Sequence, residues 1–320
     1  MFAVTAVRFD AENPISGLGL GEHAEPTPPD GWTTVTVKAA SLNHHDLWSL
    51  RGVGLSADRL PMILGCDAAG IDEDGNDVVV HAVIGDPSAG DETLDPSRSL
   101  LSERYDGTFA ERLTVPRRNL VPKPAALSFE EAACLPTAYL TAFRMLFDRA
   151  PVGPGSTVLV QGAGGGVATA LILLGRAAGY RMWATSRSEA KRQRALELGA
   201  DQVFETGARL PERVDAVMET VGEATWAHSL RALKPGGTVV ICGATSGSVP
   251  PADLTRIFFL QLSVIGSTMG TRDQLARLLT FCEQTGARPL IDRTMPLSQA
   301  ADGFAAMISG DLFGKVVFTA

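Results

Sequence analysis

The sequence predicts an α/β fold in which a doubly wound parallel sheet is joined to a second, β-rich domain. Three observations carry this. Between Thr157 and Thr285, short apolar runs alternate with helical stretches of roughly 10–15 residues, the pattern of a parallel sheet covered by helices on both faces. The first run, Thr157 to Val160, meets a glycine cluster at Gly162, Gly164, Gly165 and Gly166 before a helix rich in Ala and Leu. Before Pro124 and after Pro289 the chain reads mostly as strands punctuated by Pro and Gly, so the α/β segment is inserted into a β-rich one.

At 320 residues the chain can build two cores, and we expect one domain over 1–124 with 288–320 and the other over 125–287. Hydrophobic content of 45% and charged content of 20% describe an ordinary globular protein. A net charge of −8 with no basic run argues against nucleic acid or an anionic membrane as partner. The start, MFAVTAVRFDAENP, lacks the pattern of a secretory signal, and no apolar run approaches the roughly 18 residues that span a bilayer. The four cysteines lie far apart with no C-x-x-C pair, which fits a reducing cytoplasm rather than a disulfide framework.

In chain order, Phe2 to Phe9 and Trp32 to Lys38 read as strands, the second by its alternation. Ser41 to Gly52 is polar with helical potential, Leu60 to Gly70 is buried, and Asp77 to Val83 is a strand after the turn residues Asp74, Gly75 and Asn76. Residues 85–106 form a surface loop long enough to serve function. Gly107 to Pro116 resumes strand character, and Ser128 with Glu131 makes a capping box. Beyond the glycine turn we expect strands at Met182–Thr185, Val214–Met218, Thr238–Cys242 and Leu262–Ile265. Helices are expected at Glu189–Leu198, Ala224–Leu233 and Arg272–Thr285, then a helix over Ser298–Ser309 and a strand over Gly314–Thr319.

The glycine turn allows backbone N–H groups to approach a pyrophosphate at a helix N-terminus. Its spacing runs through Gly162, Gly165 and Ala168, with Gly164, Gly166 and Val167 completing the contact surface. An NAD-binding unit usually offers a carboxylate about 20 residues on, for the ribose hydroxyls. Here the second strand ends in Thr185-Ser186-Arg187-Ser188, with Lys191 one turn further and no carboxylate before Glu189. A hydroxyl, a guanidinium and an ammonium suit a 2′-phosphate, so NADPH is expected in preference to NADH.

A set of stretches in fixed order extends over essentially the whole chain: LNHHDLW near residue 45, GCDAAG at 65, DGTFAE at 106, LSFEEAACLPTAYLTAF at 127, VLVQGAGGGVATA at 158, LGAD at 198, LKPGG at 233 and GKVVF at the end. In these the chain resembles the medium-chain dehydrogenase/reductase superfamily, in particular its zinc-independent quinone oxidoreductase-like branch. The resemblance implies a GroES-like catalytic domain, a Rossmann domain, and ligand in a cleft between them. Motif alignment puts the three usual zinc-ligand positions on Asn43, Cys66 and Thr137, of which only Cys66 is a serious ligand; no zinc is expected.

Without a Lewis acid, oxidation of an alcohol is hard, whereas reduction of an activated acceptor needs less. The resemblance therefore implies hydride transfer to a small-molecule quinone or conjugated carbonyl, the resulting oxygen being held by hydrogen bonds and then protonated. It places Asn43 beside the nicotinamide as a donor to that oxygen and Asp46 as the residue ordering the LNHHD turn. His44 and His45 are candidate proton donors. Trp48 stands where several relatives carry tyrosine and shapes the pocket. Thr137, Gly243-Ala244-Thr245, Ser267-Thr268-Met269 and Lys315 are implied as further cofactor contacts. A homodimer is implied through the edge strand near Leu262–Ile265. The alternatives are a zinc-type alcohol dehydrogenase and an NADPH-binding sensor or structural protein without turnover.

Overall fold

The computed structural model describes residues 1–86, 88 and 90–320. The backbone forms two compact units, Met1–Ala138 with Met269–Ala320, and Tyr139–Thr268. These divisions fall at other residues than the boundaries read from the sequence. Arg272, which opens the helix Arg272–Thr285, explains one of them: its guanidinium donates to the carbonyls of Arg118 (2.6 Å) and Leu120 (3.1 Å), tying the helix into the first unit.

The second unit is built on one six-stranded sheet, parallel throughout. Across the sheet the strands run Gln202–Phe204, Arg181–Thr185, Thr157–Val160, Val214–Glu219, Leu233–Ile241 and Ser263–Gly266. In sequence order that is 3-2-1-4-5-6, the doubly wound arrangement, with its reversal between the first and fourth strands. The central strands are apolar along their length because helices cover both faces. The helix Gly166–Ala177 buries seven residues, among them Leu171, Ile172 and Leu174. It lies so close to the sheet that a side chain at Gly175 would overlap Met182.

The strand Gln202–Phe204 was not expected; it is short, only partly buried and pairs with Arg181–Thr185 alone, so it leaves little apolar signal. The helices Glu189–Leu198 and Arg272–Thr285 stand at the expected residues, each ended by a left-handed glycine, Gly199 or Gly286. The expected capping box is present, with Glu131 N donating to Ser128 Oγ at 3.1 Å.

The first unit carries a seven-stranded sheet centred on the strand Trp32–Ser41, which pairs antiparallel with Asp67–Asp72, Arg112–Pro116 and Lys315–Thr319. The alternating burial of Thr33, Val35 and Val37 follows the two-residue period of a strand with one covered face. Phe109 stands edge-on to Phe318 at 5.2 Å and to Phe304 at 6.4 Å in the core. The strand expected over Asp77–Val83 breaks after Val80, where Asn119 Nδ2 donates to the carbonyls of His81 and Val83, both at 2.8 Å. The pairing Val317↔Ser41 brings the returning tail beside the start of the helix His44–Leu50, and this register sets the geometry below.

Candidate functional site

At the switch point of the parallel sheet the chain leaves Val160 and turns through Gly162 and Gly164 with φ of +81° and +112°. Both angles favour glycine, and a Cβ on Gly162 would also stand 2.9 Å from Val221 Cγ2. Gly165 is different. Its φ is −74°, and a Cβ there would meet nothing within 4 Å. Neither strain nor crowding inside the protein calls for glycine, whereas a ligand backbone brought close to the turn would.

The first bond of the following helix is Thr169 N to Gly165 O at 2.9 Å, so the amides of Gly166, Val167 and Ala168 point out of its N-terminus. Gly162 N is spent inward on Thr185 Oγ1 (3.2 Å), and Ala163 N on Thr185 O (2.7 Å). The outward amides and the open face at Gly165 fit the pyrophosphate of a dinucleotide.

At the end of the neighbouring strand, Ser186 is buried and its Oγ accepts from Ser188 N at 3.2 Å. Arg187 is exposed and makes no hydrogen bond or ion pair among the described residues. Lys191 lies half-buried in the first turn of the next helix. Arg192, which sequence reasoning missed, donates from Nη1 to Ser186 O at 2.7 Å and braces this corner. Its sequence signal is weak, being one of several basic residues on a polar helix. Gly243, Ala244 and Thr245 follow the strand Leu233–Ile241 on the surface or half-buried. Ser267 Oγ is buried with no partner, and Thr268 is exposed.

The first unit gathers a second set of polar residues, and there the donors are spent. Lys315 is 3% exposed; its ammonium donates to Asn43 Oδ1 (2.6 Å), Leu42 O (2.8 Å) and Asp67 Oδ2 (3.4 Å). Three donors meet three acceptors, which corrects the expectation that Lys315 touches cofactor. The amide of Asn43 is likewise committed, with Nδ2 donating to Asp67 Oδ2 (2.8 Å) and Ser41 O (3.3 Å). Asn43 therefore has no hydrogen left to offer a substrate oxygen, a second correction. Ser41 Oγ completes the shell of Asp67 Oδ2 at 2.8 Å, while Asp67 Oδ1 is buried with no partner.

Asp46 is fully buried and takes Asn43 N on Oδ2 (2.8 Å) and Gly65 N on Oδ1 (3.1 Å), ordering the turn as expected. Burial pushes its pKa up to about 7, against the pull of those two N–H groups. His45 faces Ser102 Oγ at 3.3 Å through Nε2, and burial drops its pKa to about 4 despite nearby Asp67. A histidine neutral at pH 7 is a poor proton donor, which speaks against the donor role expected of His45. His44 is exposed; desolvation by its surroundings, with the charges of Lys315 and Arg51, holds its pKa below the usual value. Trp48 is half-buried with the Arg51 guanidinium 5.2 Å over its ring.

Met269, expected at the cofactor, is 8% exposed and packs with Cys66, Ala82 and Val83 in an apolar cluster, a further correction. Thr137 sits in a π-helical turn, Leu135–Tyr139, with its hydroxyl buried and unpartnered. The donors at the aligned zinc positions do not fit a zinc ion. Asn43 is engaged as described, and the Cys66 thiol faces Leu101 O at 3.3 Å, its pKa pushed well up by burial. Among the described residues no three His, Cys, Asp or Glu side chains converge on one point.

Comparison with known proteins agrees with this architecture. Residues 29–125 match the alcohol dehydrogenase GroES-like domain and residues 166–284 the zinc-binding dehydrogenase domain. A zinc-type alcohol dehydrogenase-like protein of Schizosaccharomyces pombe is 30% identical over 98% of this chain and 99% of its own. The quinone oxidoreductase of Mus musculus is 28% identical over 89% of this chain and 88% of its own. A solved structure described as an NAD-dependent alcohol dehydrogenase superposes with a TM-score of 0.93 at 33% identity, covering 100% of both chains. The chain belongs to the medium-chain dehydrogenase/reductase superfamily and is an oxidoreductase with a GroES-like and a Rossmann domain. Among the described residues no helix is long and apolar enough to cross a membrane.

Proposed function

We propose that the chain is an NADPH-dependent, zinc-independent reductase of quinones or conjugated carbonyls, of the quinone oxidoreductase-like branch. The observation that carries the cofactor choice is the exposed, unpaired guanidinium of Arg187 beside Ser186, where an NAD-binding strand would end in a carboxylate. A cation left without a partner at the start of a helix is disfavoured by the helix dipole, and a bound phosphate relieves that.

When bound, the nicotinamide supplies a hydride to an electrophilic carbon. The chain's own part is to hold and to exclude. The amides of Gly166–Ala168 take the pyrophosphate, Ser186 and Arg187 take the 2′-phosphate, and open Gly165 lets the ligand approach the backbone. Among the motif positions of the first unit, Thr137 keeps an unpartnered hydroxyl that can donate to a ligand. Neither Asn43 nor Lys315 has a hydrogen to lend, and His45 is neutral, which leaves water or the exposed His44 to supply the proton.

The edge strand Ser263–Gly266 ends the parallel sheet with its Val264 44% exposed, and Phe258 (63%) and Phe259 (73%) of the preceding helix Leu254–Phe259 are open as well. An apolar open edge supports a homodimer formed there. Four free cysteines, three of them buried, support a reducing cytoplasm as the working compartment. Stopped-flow oxidation of NADPH by a panel of quinones and enones tests the function. We expect oxidation by at least one acceptor in chelator-treated protein; activity on alcohols that appears only with added zinc contradicts it, and no oxidation by any acceptor points to a sensor.

A further inference from the structure

Beneath the glycine turn runs a line of fully buried polar side chains that the proposed reaction leaves unused. Glu219 ends the strand Val214–Glu219 with no exposed surface, and no cation among the described residues pairs with it. Its Oε1 accepts from Val221 N (2.9 Å), Gly222 N (3.0 Å) and Thr225 Oγ1 (2.8 Å), and its Oε2 accepts from Ser229 Oγ (2.5 Å).

The direction of every further bond then follows from counting hydrogens. A hydroxyl has one proton, so Ser229, having given its own to Glu219, accepts from Gln161 Nε2 at 3.0 Å. The second amide hydrogen of Gln161 meets His228 Nδ1 at 2.9 Å, and His228 Nε2 faces Ala208 O, also at 2.9 Å. That carbonyl only accepts, so His228 is neutral with its proton on Nε2. Gln161 Oε1 accepts from Thr185 Oγ1 (2.8 Å), which leaves Thr185 Oγ1 to accept from Gly162 N (3.2 Å). Four hydrogen bonds thus run one way, from Gly162 N–H through Thr185, Gln161 and Ser229 to Glu219. Bonds aligned in this way polarise one another, and burial strengthens them.

We propose that Glu219 is a positioning residue for the dinucleotide, acting through Ser229, Gln161 and Thr185 on the peptide plane of Gly162. By drawing that amide inward it leaves Gly166, Val167 and Ala168 as the amides facing the pyrophosphate. Through Val221 and Gly222 the same carboxylate holds Val221 against Gly162. The inference rests on the dinucleotide reading of the glycine turn.

The test measures dissociation constants for NADPH and NADH by nicotinamide fluorescence, with melting temperature and the amide proton shift of Gly162 recorded beside them. The proteins are wild type, Thr185→Val, Thr185→Ser, Glu219→Gln and the double variant Thr185→Val with Glu219→Gln. Loss of one chain bond is expected to weaken the bound dinucleotide by about tenfold in Thr185→Val and in Glu219→Gln. Thr185→Ser keeps the hydroxyl and is expected to restore affinity. The double variant is expected to be no weaker than the worse single one, because both cut the same chain. The Gly162 amide is expected to shift in Glu219→Gln. Lower melting temperatures with unchanged dissociation constants overturn the proposal, as do losses that simply add. If Glu219→Gln fails to fold, Thr185→Val against Thr185→Ser decides alone. A wild type that binds only NADH overturns the NADPH choice, and the same variants read with NADH then decide this proposal. A wild type that binds neither overturns both.

Discussion

The corner at Gly165–Arg187 and the cluster around Lys315 contain the same kinds of groups, yet the two regions dispose of them in opposite ways. At the corner, helix amides point outward, Gly165 leaves an open face, and Arg187 is exposed without a partner. In the cluster, the Lys315 ammonium, the Asn43 amide and the Ser41 hydroxyl are all consumed within the protein, and Lys315 is 3% exposed. Polar residues at motif positions thus divide into those with hydrogens to offer a ligand and those that hold the fold. Burial alone does not separate them, since Ser186 at the corner is also buried; what separates them is whether the donors are already paired.

The largest expected effect lies in the cluster. Replacing Lys315 by Met strands Asp67 as a buried, uncompensated carboxylate, and we expect a loss of about 3–5 kcal/mol in denaturant unfolding. Adding Asp67→Asn should recover much of it. A Lys315→Met protein of unchanged stability whose NADPH affinity collapses would move Lys315 from the fold to the ligand.

Next comes pH. The folded-state pKa of His45 is depressed from 6.5 to about 4, so its contribution is present above 6.5 and is lost as pH falls toward 4. Asp46 runs the other way: raised from 3.8 to about 7, it favours the folded state below 3.8 and loses that contribution as pH rises through 7. Neighbours in sequence therefore oppose each other across the same window. Removing the imidazole in His45→Gln should make the variant gain on wild type by about 2 kcal/mol between pH 7 and pH 5. Melting curves in which the two proteins stay parallel with pH would contradict the assignment.

A smaller pair of effects sharpens the contrast at the corner itself. Gly162→Ala should cost about 1–2 kcal/mol, because φ is +81° and Val221 stands in the way. Gly165→Ala should leave stability within about 0.5 kcal/mol, since its backbone is unstrained and nothing lies near. Its dinucleotide affinity should fall all the same, as measured by fluorescence titration. A Gly165→Ala protein that binds NADPH as wild type does would show that no ligand approaches there.

Much of the second unit was legible in the sequence because its signals are local. The helix Glu189–Leu198 is closed by Gly199, and the glycine turn is bounded by an apolar strand and helix. The cluster was legible in its members and not in their roles. Lys315 reaches Asn43 only because Val317 pairs with Ser41 across the sheet, a contact no local pattern carries. Motif position singled out Asn43, but which hydrogens it still had to give depended on Asp67, a strand away. The chain from Gly162 to Glu219 was hidden for the same reason: Thr185 and Glu219 end two strands, Gln161 follows a third, and Ser229 lies on a helix.

The central claim is that the corner of Ser186 and Arg187 holds a 2′-phosphate. Dissociation constants of NADPH and NADH for wild type and Arg187→Asp test it most directly. Wild type should bind NADPH more tightly, and Arg187→Asp should lose about a hundredfold for NADPH while NADH changes by less than about threefold. Equal losses for the two nucleotides, or a wild type that prefers NADH, would contradict it.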